Sequence, residues 1–466
     1  MTTDQADRPQ SFRRAVWLMT LTSLLVPVAG VVTSPVLTRA LGADGRGELA
    51  AALAPAALML VASTLGLPDA LTYHLAKRPG VLRPAVLWAT LLTLALGLLC
   101  LATTWAALPF LSAGDQRLGR LILLATALTV PALVVSVLRG AATGRQMWGA
   151  VAGERILSTG LRLITLSLLW AAGDLTVLTA VLVSVLVPVA AGVAYWRLLA
   201  DPGSVGEAPG ASEDGPVPPG SVVRTLTSYG SKIWLGSVAS MVLARIAPLL
   251  MTPLSSAHDL GLYTVATTVS DVPLIVALAI QSTLFGVNSS RTDADQLATT
   301  TRVTLLAGAG GCALLSASLP LWIGPLFGAD FAAATLPTVM LLGSAVLCIP
   351  GLLTSSGVAA WGRPGLRSAG LAVTLVANLG VFVLLVPRWG VYGACWTSLV
   401  SNLVMTTFMV LAASRVIGVP ARDFLVPRAG DARLAWAEAV RLVRRGLARR
   451  ARPGAEESSP GAQRAP

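Results

Sequence analysis

The sequence predicts an all-α polytopic membrane protein with about twelve transmembrane helices. They form two six-helix bundles, related by a parallel repeat, around a central cavity. Three observations predict this. First, the 466-residue chain is 55% hydrophobic and 12% charged, with a mean hydropathy of +0.74; soluble domains are about 25% charged. Second, apolar runs of about 20 residues recur along most of its length, each sufficient to cross a hydrocarbon core as a helix. Third, one pattern returns at half the chain's length. The stretch from Thr33 to Arg78 contains an apolar run's end, a polar turn, a second apolar run and a basic exit, and Met251 to Arg291 repeats that order. Setting Gly47 on Gly261, a shift of 261 − 47 = 214 residues, also pairs Ala52 with Ala266 and Lys77 with Arg291. A chain that repeats at half its length predicts two similar bundles facing each other.

In order, residues 1–14 form a polar N-terminal tail containing Arg8, Arg13 and Arg14. The run from Ala15 to Val36 is too long for a signal peptide's apolar region and is the first span, kinked near Pro27. Gly42, Gly45 and Gly47 supply the conformational freedom to reverse the chain. Spans at 48–68, 84–110, 118–138, 148–171 and 175–197 complete a first bundle over 15–198. Residues 199–224 read as a disordered cytoplasmic linker, because Asp201 to Ser221 is rich in proline, glycine and acid. A second bundle over 225–415 has spans at 229–252, 260–286, 303–325, 332–357, 366–387 and 391–413. The tail, 416–466, holds a basic amphipathic helix. Trp436, Val440, Val443 and Leu447 share one side, opposite Arg441, Arg445 and Arg449. Such a helix suits the anionic inner leaflet or a docking partner.

Loop charge gives the orientation. With the N-terminus inside, inner loops hold Lys77, Arg78, Arg83, Arg139, Arg145, Arg197, Arg224, Arg291, Arg302, Arg363 and Arg367. Outer loops hold Arg39, Arg46, Arg117, Arg120 and Arg388, so both termini are expected in the cytoplasm. The net charge of +12 follows from these loops and the tail, with no nucleic-acid partner implied. Cys100, Cys312, Cys348 and Cys395 lie within apolar runs at no metal-like spacing and read as small core residues. No phosphate-cradling G-x-x-x-x-G-K-[ST] loop is present, so the chain is not expected to hydrolyse ATP itself. No catalytic residue, metal or cofactor is expected.

The residues of greatest interest are charges within apolar runs, each costing about 2.5–3.5 kcal/mol or more at mid-helix. The fifth span holds Glu154, Arg155 and Arg162; the seventh holds Lys232 and Arg245; the eighth holds Asp271; and Arg39 closes the first. Structural ion pairs, such as Arg245 with Asp271, are one explanation. The excess of cations over carboxylates favours another, a hydrated cavity that accepts an anion. Arginine's forked donors suit phosphate and diphosphate. On this reading Arg162, Arg245, Arg155, Arg39 and Lys232 contact the anion, while Asp271 and Glu154 balance charge or couple transport.

The segments LTRALGADGRGELAAALA, DLGLYTVATTVSDVPLIVALAIQSTLFGVNSS and RWGVYGACWTSLVSNLV resemble the oligosaccharide flippases of the polysaccharide exporter family. That family belongs to the multidrug/oligosaccharidyl-lipid/polysaccharide superfamily, and the resemblance runs over most of residues 12–415. It implies a two-bundle, alternating-access protein of the cytoplasmic membrane that flips a polyprenyl-diphosphate-linked oligosaccharide. Membrane lipids and polysaccharide assembly enzymes are its expected partners. A cation-coupled drug antiporter of the same superfamily is the nearest alternative. It would call for a carboxylate-centred cavity, and the first span contains no acid. A glycosyltransferase built on Asp44 and Glu48 would lack a large outer domain, and a non-transporting assembly scaffold is a third class.

Overall fold

The computed structural model describes residues 8–77, 82–196, 219–290, 293–428, 430, 431 and 433. Most of the expected linker and the tail helix around Trp436–Arg449 lie outside these residues, as does the side chain of Lys232. Among the described residues every regular element is a helix. They are α1 (Arg8–Ala62), α2 (Leu67–Lys77), α3 (Leu82–Ala106), α4 (Leu108–Leu111), α5 (Gln116–Gly144), α6 (Trp148–Ala172) and α7 (Val177–Ala191). These are followed by α8 (Pro219–Leu254), α9 (Ala257–Ser290), α10 (Ala294–Phe327), α11 (Thr335–Ala360), α12 (Pro364–Ile417) and α13 (Arg422–Leu425).

Ten described segments are long and apolar enough to cross a membrane. Two of them, Pro27–Ala76 and Pro364–Ile417, have 50 and 54 residues, more than twice the roughly 20 that cross a bilayer core as a helix. Each contains a reversal. Gly42 has φ 66° and ψ −174°, and Gly390 has φ 52° and ψ −126°, backbone conformations that a side chain would strain. The two long segments therefore hold two spans each, giving twelve. The polar turn expected over Gly42–Gly47 is shorter than its glycines suggested: one residue turns the chain and helix resumes at Ala43. Asp44 and Arg46 thus sit on a helix's first turn, where the sequence reading had a loop.

The reversals at Gly42, Gly114, Gly173, Gly328 and Gly390 fall at one end of the bundle, here termed the turn end. At that end the sequence repeat becomes a contact. A Cβ added at Gly47 would lie 1.8 Å from the carbonyl oxygen of Ala257, and one at Gly261 would lie 1.9 Å from that of Ala43. Ala43 and Ala257 are again 214 residues apart, 257 − 43. Two Ala-x-x-x-Gly segments therefore cross about a pseudo-twofold axis, each glycine admitting the other helix's backbone. Ala52 and Ala266, paired by the same shift, are both fully buried. Asp44 Oδ1 and His258 Nδ1, likewise 214 apart, lie 3.5 Å from each other across the junction.

Core packing distinguishes the two ends. A single apolar cluster at the turn end takes Leu37, Leu49, Leu118 and Val181 from the first half and Leu260, Phe327, Phe331 and Leu342 from the second. Toward the opposite end there are two clusters, one per half. Leu71, Leu75, Leu138 and Tyr195 belong to the first, and Leu353, Val358, Met409 and Phe424 to the second. A hydrogen bond from Trp234 Nε1 to the Ala62 carbonyl, 2.9 Å, crosses between the halves there. At that same end the chain after α12 is tied back onto α10. Buried Arg302 donates to Asp431 at 2.6 Å and to the Asp423 carbonyl at 2.5 Å. Its guanidinium holds the Asp431 carboxyl below the usual carboxylate range.

Candidate functional site

Between the halves lies a cavity of about 780 Å³. Arg46 of α1 and Arg162 of α6 reach it from the first half, Arg245 of α8 and Asp271 of α9 from the second. Hydroxyls fill the spaces between these charges: Thr129 and Ser184 on one side, Tyr263, Thr267, Thr268 and Ser398 on the other. A second cavity, about 450 Å³, adjoins it through Arg162 and Pro188 and is lined by Thr33, Arg139, Glu154, Arg155 and Thr159.

Helix periodicity explains the arrangement within α6. Arg155 and Arg162 are seven residues apart, two turns on one face, about 10 Å along the axis. Glu154 is turned away from both. Its carboxylate accepts two hydrogen bonds from Arg139 on α5, each 3.0 Å, and one from the Tyr195 hydroxyl at 3.3 Å. Glu154 therefore pairs with a neighbouring helix's arginine, and its carboxylate's charge is spent on Arg139.

The central cations have no such partner. Arg46, Arg162, Arg245 and Asp271 enter no ion pair within 4.0 Å among the described residues, so the Arg245–Asp271 pair considered from sequence does not form. Asp271 instead shares the cavity with three arginines. The Nε atoms of Arg46 and Arg162 are buried with no hydrogen-bond acceptor, and the two guanidinium groups repel each other. Buried polar atoms are ordinarily satisfied, so unpaired donors converging on one cavity mark a place for an acceptor. Two like charges at one site are chemically suited to an anionic acceptor.

Of the sequence candidates, the central cavity gathers Arg162, Arg245 and Asp271. Arg155 and Glu154 line the adjoining cavity. Arg39 lies at the turn end, donating to the Pro325 carbonyl across the two halves, and is not among the residues lining either cavity. Sequence reasoning missed Arg46 as a site residue. No sequence signal marks it: only the structure shows helix restarting at Ala43, which puts Arg46 inside the second span.

The sequence profile of polysaccharide biosynthesis proteins matches residues 12–290 of this chain, 279 of its 466 residues. The chain belongs to the polysaccharide biosynthesis protein family. The match spans every candidate site residue from Arg39 to Asp271. Solved structures extend the comparison over nearly the whole length. A lipid II flippase, MurJ, in an inward closed conformation aligns with a TM-score of 0.67 and 10% identity, covering 91% of this chain and 92% of the flippase. An inward-facing multidrug resistance MATE family transporter of the MOP superfamily aligns with a TM-score of 0.64 and 15% identity, covering 84% and 99% respectively. A Vibrio cholerae MATE transporter, VcmN, aligns at 0.53 with 13% identity, covering 89% and 98%. No curated protein sequence matches this member of the polysaccharide biosynthesis family. It is a multi-pass, all-α membrane protein with the fold of these transporters.

Proposed function

We propose that this protein is a flippase, not an enzyme, and that it carries a polyprenyl-diphosphate-linked oligosaccharide across the cytoplasmic membrane for cell-surface polysaccharide assembly. The observation that carries the proposal is the central cavity's charge: three arginines, two with buried unpaired donors, against one aspartate. A diphosphate is an acceptor-rich anion that matches forked guanidinium donors. Arg155, on the wall of the adjoining cavity, is an earlier position on the headgroup's path toward Arg162. Asp271 tempers the unliganded charge.

The cycle alternates access. Residues 15–198 and 225–415 rock as two bundles about their interface, joined by the linker 199–224. With both termini cytoplasmic, the turn end faces outward. The shared core there and the separate cores opposite are consistent with a state closed to the outside. Membrane lipids and polysaccharide assembly enzymes are the expected partners. Asp271 also gives a specific reason to weigh a cation-coupled antiporter, since a cavity carboxylate can exchange a cation for a drug.

Reconstitution distinguishes them. Proteoliposomes should move a fluorescent undecaprenyl-diphosphate-linked sugar between leaflets at least about tenfold faster than protein-free vesicles, the arithmetic of about 1.4 kcal/mol. They should not export ethidium on a proton or sodium gradient. Ethidium export with no lipid movement would replace the flippase with the antiporter.

A further inference from the structure

A third cavity, about 310 Å³, lies within the second half among α8, α11 and α12. It shares Asn378 and Ser398 with the central cavity, so the two adjoin across a common wall. Its chemistry is different. No carboxylate lines it, and its one cation, Arg367, is an exposed residue near the start of α12. The rest of the polar lining is hydroxyl and carboxamide.

The hydrogen bonds fix which way the carboxamides face. Ser401 commits its proton to the Thr397 carbonyl at 2.7 Å, so its oxygen has only acceptance to offer. Asn378 must therefore turn its NH₂ toward Ser401, at 2.7 Å. That leaves Asn378 Oδ1 buried without a donor, in a residue 8% exposed. Asn402 is fixed by the same logic. Its Nδ2 lies 2.8 Å from Ser344 Oγ and 3.3 Å from the Ser344 carbonyl, which can only accept, so its Oδ1 faces away. The amide donors are spent holding orientation, and the oxygens remain for a guest.

The first half thus offers unpaired donors, and the second half, next to it, offers a buried unpaired acceptor at Asn378. We propose that this second-half pocket is a subsite for a neutral sugar, the residue attached directly to the diphosphate. A sugar's hydroxyls supply the O–H donor that Asn378 Oδ1 lacks and can also reach the Asn402 carboxamide oxygen, and the shared wall at Asn378 sets the ring beside the anion. The inference rests on the diphosphate reading above and adds to it which wall reads the glycan.

Binding separates the two ideas. Purified protein is titrated with bare undecaprenyl diphosphate and with the same lipid carrying one glucose, galactose or N-acetylglucosamine. Wild type should bind at least one glycosylated lipid about tenfold tighter than the bare lipid, as one or two hydrogen bonds to an otherwise unsatisfied group would give. Asn378→Leu should remove most of that increment. Asn402→Leu should reduce it while leaving bare-lipid affinity within about twofold, well under the factor of ten that 1.4 kcal/mol represents. An increment retained in both variants, or absent in wild type for all three sugars, overturns the subsite. Failure of the bare lipid to bind wild type instead overturns the diphosphate reading.

Discussion

Arg162→Ala, in protein that inserts and folds normally, should lose transport by about 10- to 100-fold, since a charge-assisted hydrogen bond contributes about 1.5–3 kcal/mol. Arg162 lines both cavities, so on the proposed path the headgroup would meet it in each. Arg162→Lys should keep part of the activity, because the charge persists while the fork that engages two oxygens is lost. Removing this cation costs the empty protein little: its Nε has no protein acceptor to abandon, and Arg46 is relieved of a like charge. The substitution should therefore leave thermal stability unchanged or raised while transport collapses. A parallel loss of stability and transport would mark Arg162 as structural.

The other large effect lies at the turn end. Any side chain at Gly47 must displace a backbone: its Cβ would meet the Ala257 carbonyl oxygen at 1.8 Å, where real contacts below 3.0 Å are essentially never seen. The helices must part by at least 3.0 − 1.8 = 1.2 Å. Overpacking of this kind costs about 1–3 kcal/mol, and in the proposed cycle it would fall on the state in which the turn end is closed. Gly47→Leu and Gly261→Leu should each slow transport about tenfold or more, the rate factor for about 1.4 kcal/mol. Each should also weaken disulfide crosslinking of an Asp44→Cys/His258→Cys pair built in a background lacking native cysteines. Wild-type transport and crosslinking in both leucine variants would show that the close crossing has no part in the cycle.

Much of this was legible in the sequence, and for identifiable reasons. Span positions follow from apolar run length, a one-dimensional property that folding does not rearrange. The 214-residue shift was visible through Gly47 and Gly261, and its meaning is the reciprocal crossing at those two residues. Charges within spans are conspicuous because burying them is costly, so Arg162, Arg245 and Asp271 stand out in the sequence itself. Arg46 escaped because nothing in a glycine-rich segment says that Gly42 alone makes the turn. The Glu154 pair was not legible because its partner, Arg139, lies on the preceding helix and reads from sequence as a loop cation. Asn378 bridges two spans with half of its carboxamide: the amide nitrogen bonds Ser401 on the same long α12, across its reversal at Gly390. Its unpaired oxygen depends on the direction of a serine proton, which no sequence pattern carries.

The proposed function rests on the arginines of the interhalf cavity holding a diphosphate. The direct measurement is equilibrium binding of undecaprenyl diphosphate, compared with uncharged undecaprenol, to wild type and to an Arg46→Gln/Arg162→Gln/Arg245→Gln variant. Wild type should prefer the diphosphate by about 100-fold or more, as two charge-assisted bonds would give, and the variant should bind both lipids alike. A correctly inserted variant that binds undecaprenyl diphosphate with wild-type affinity would contradict the assignment.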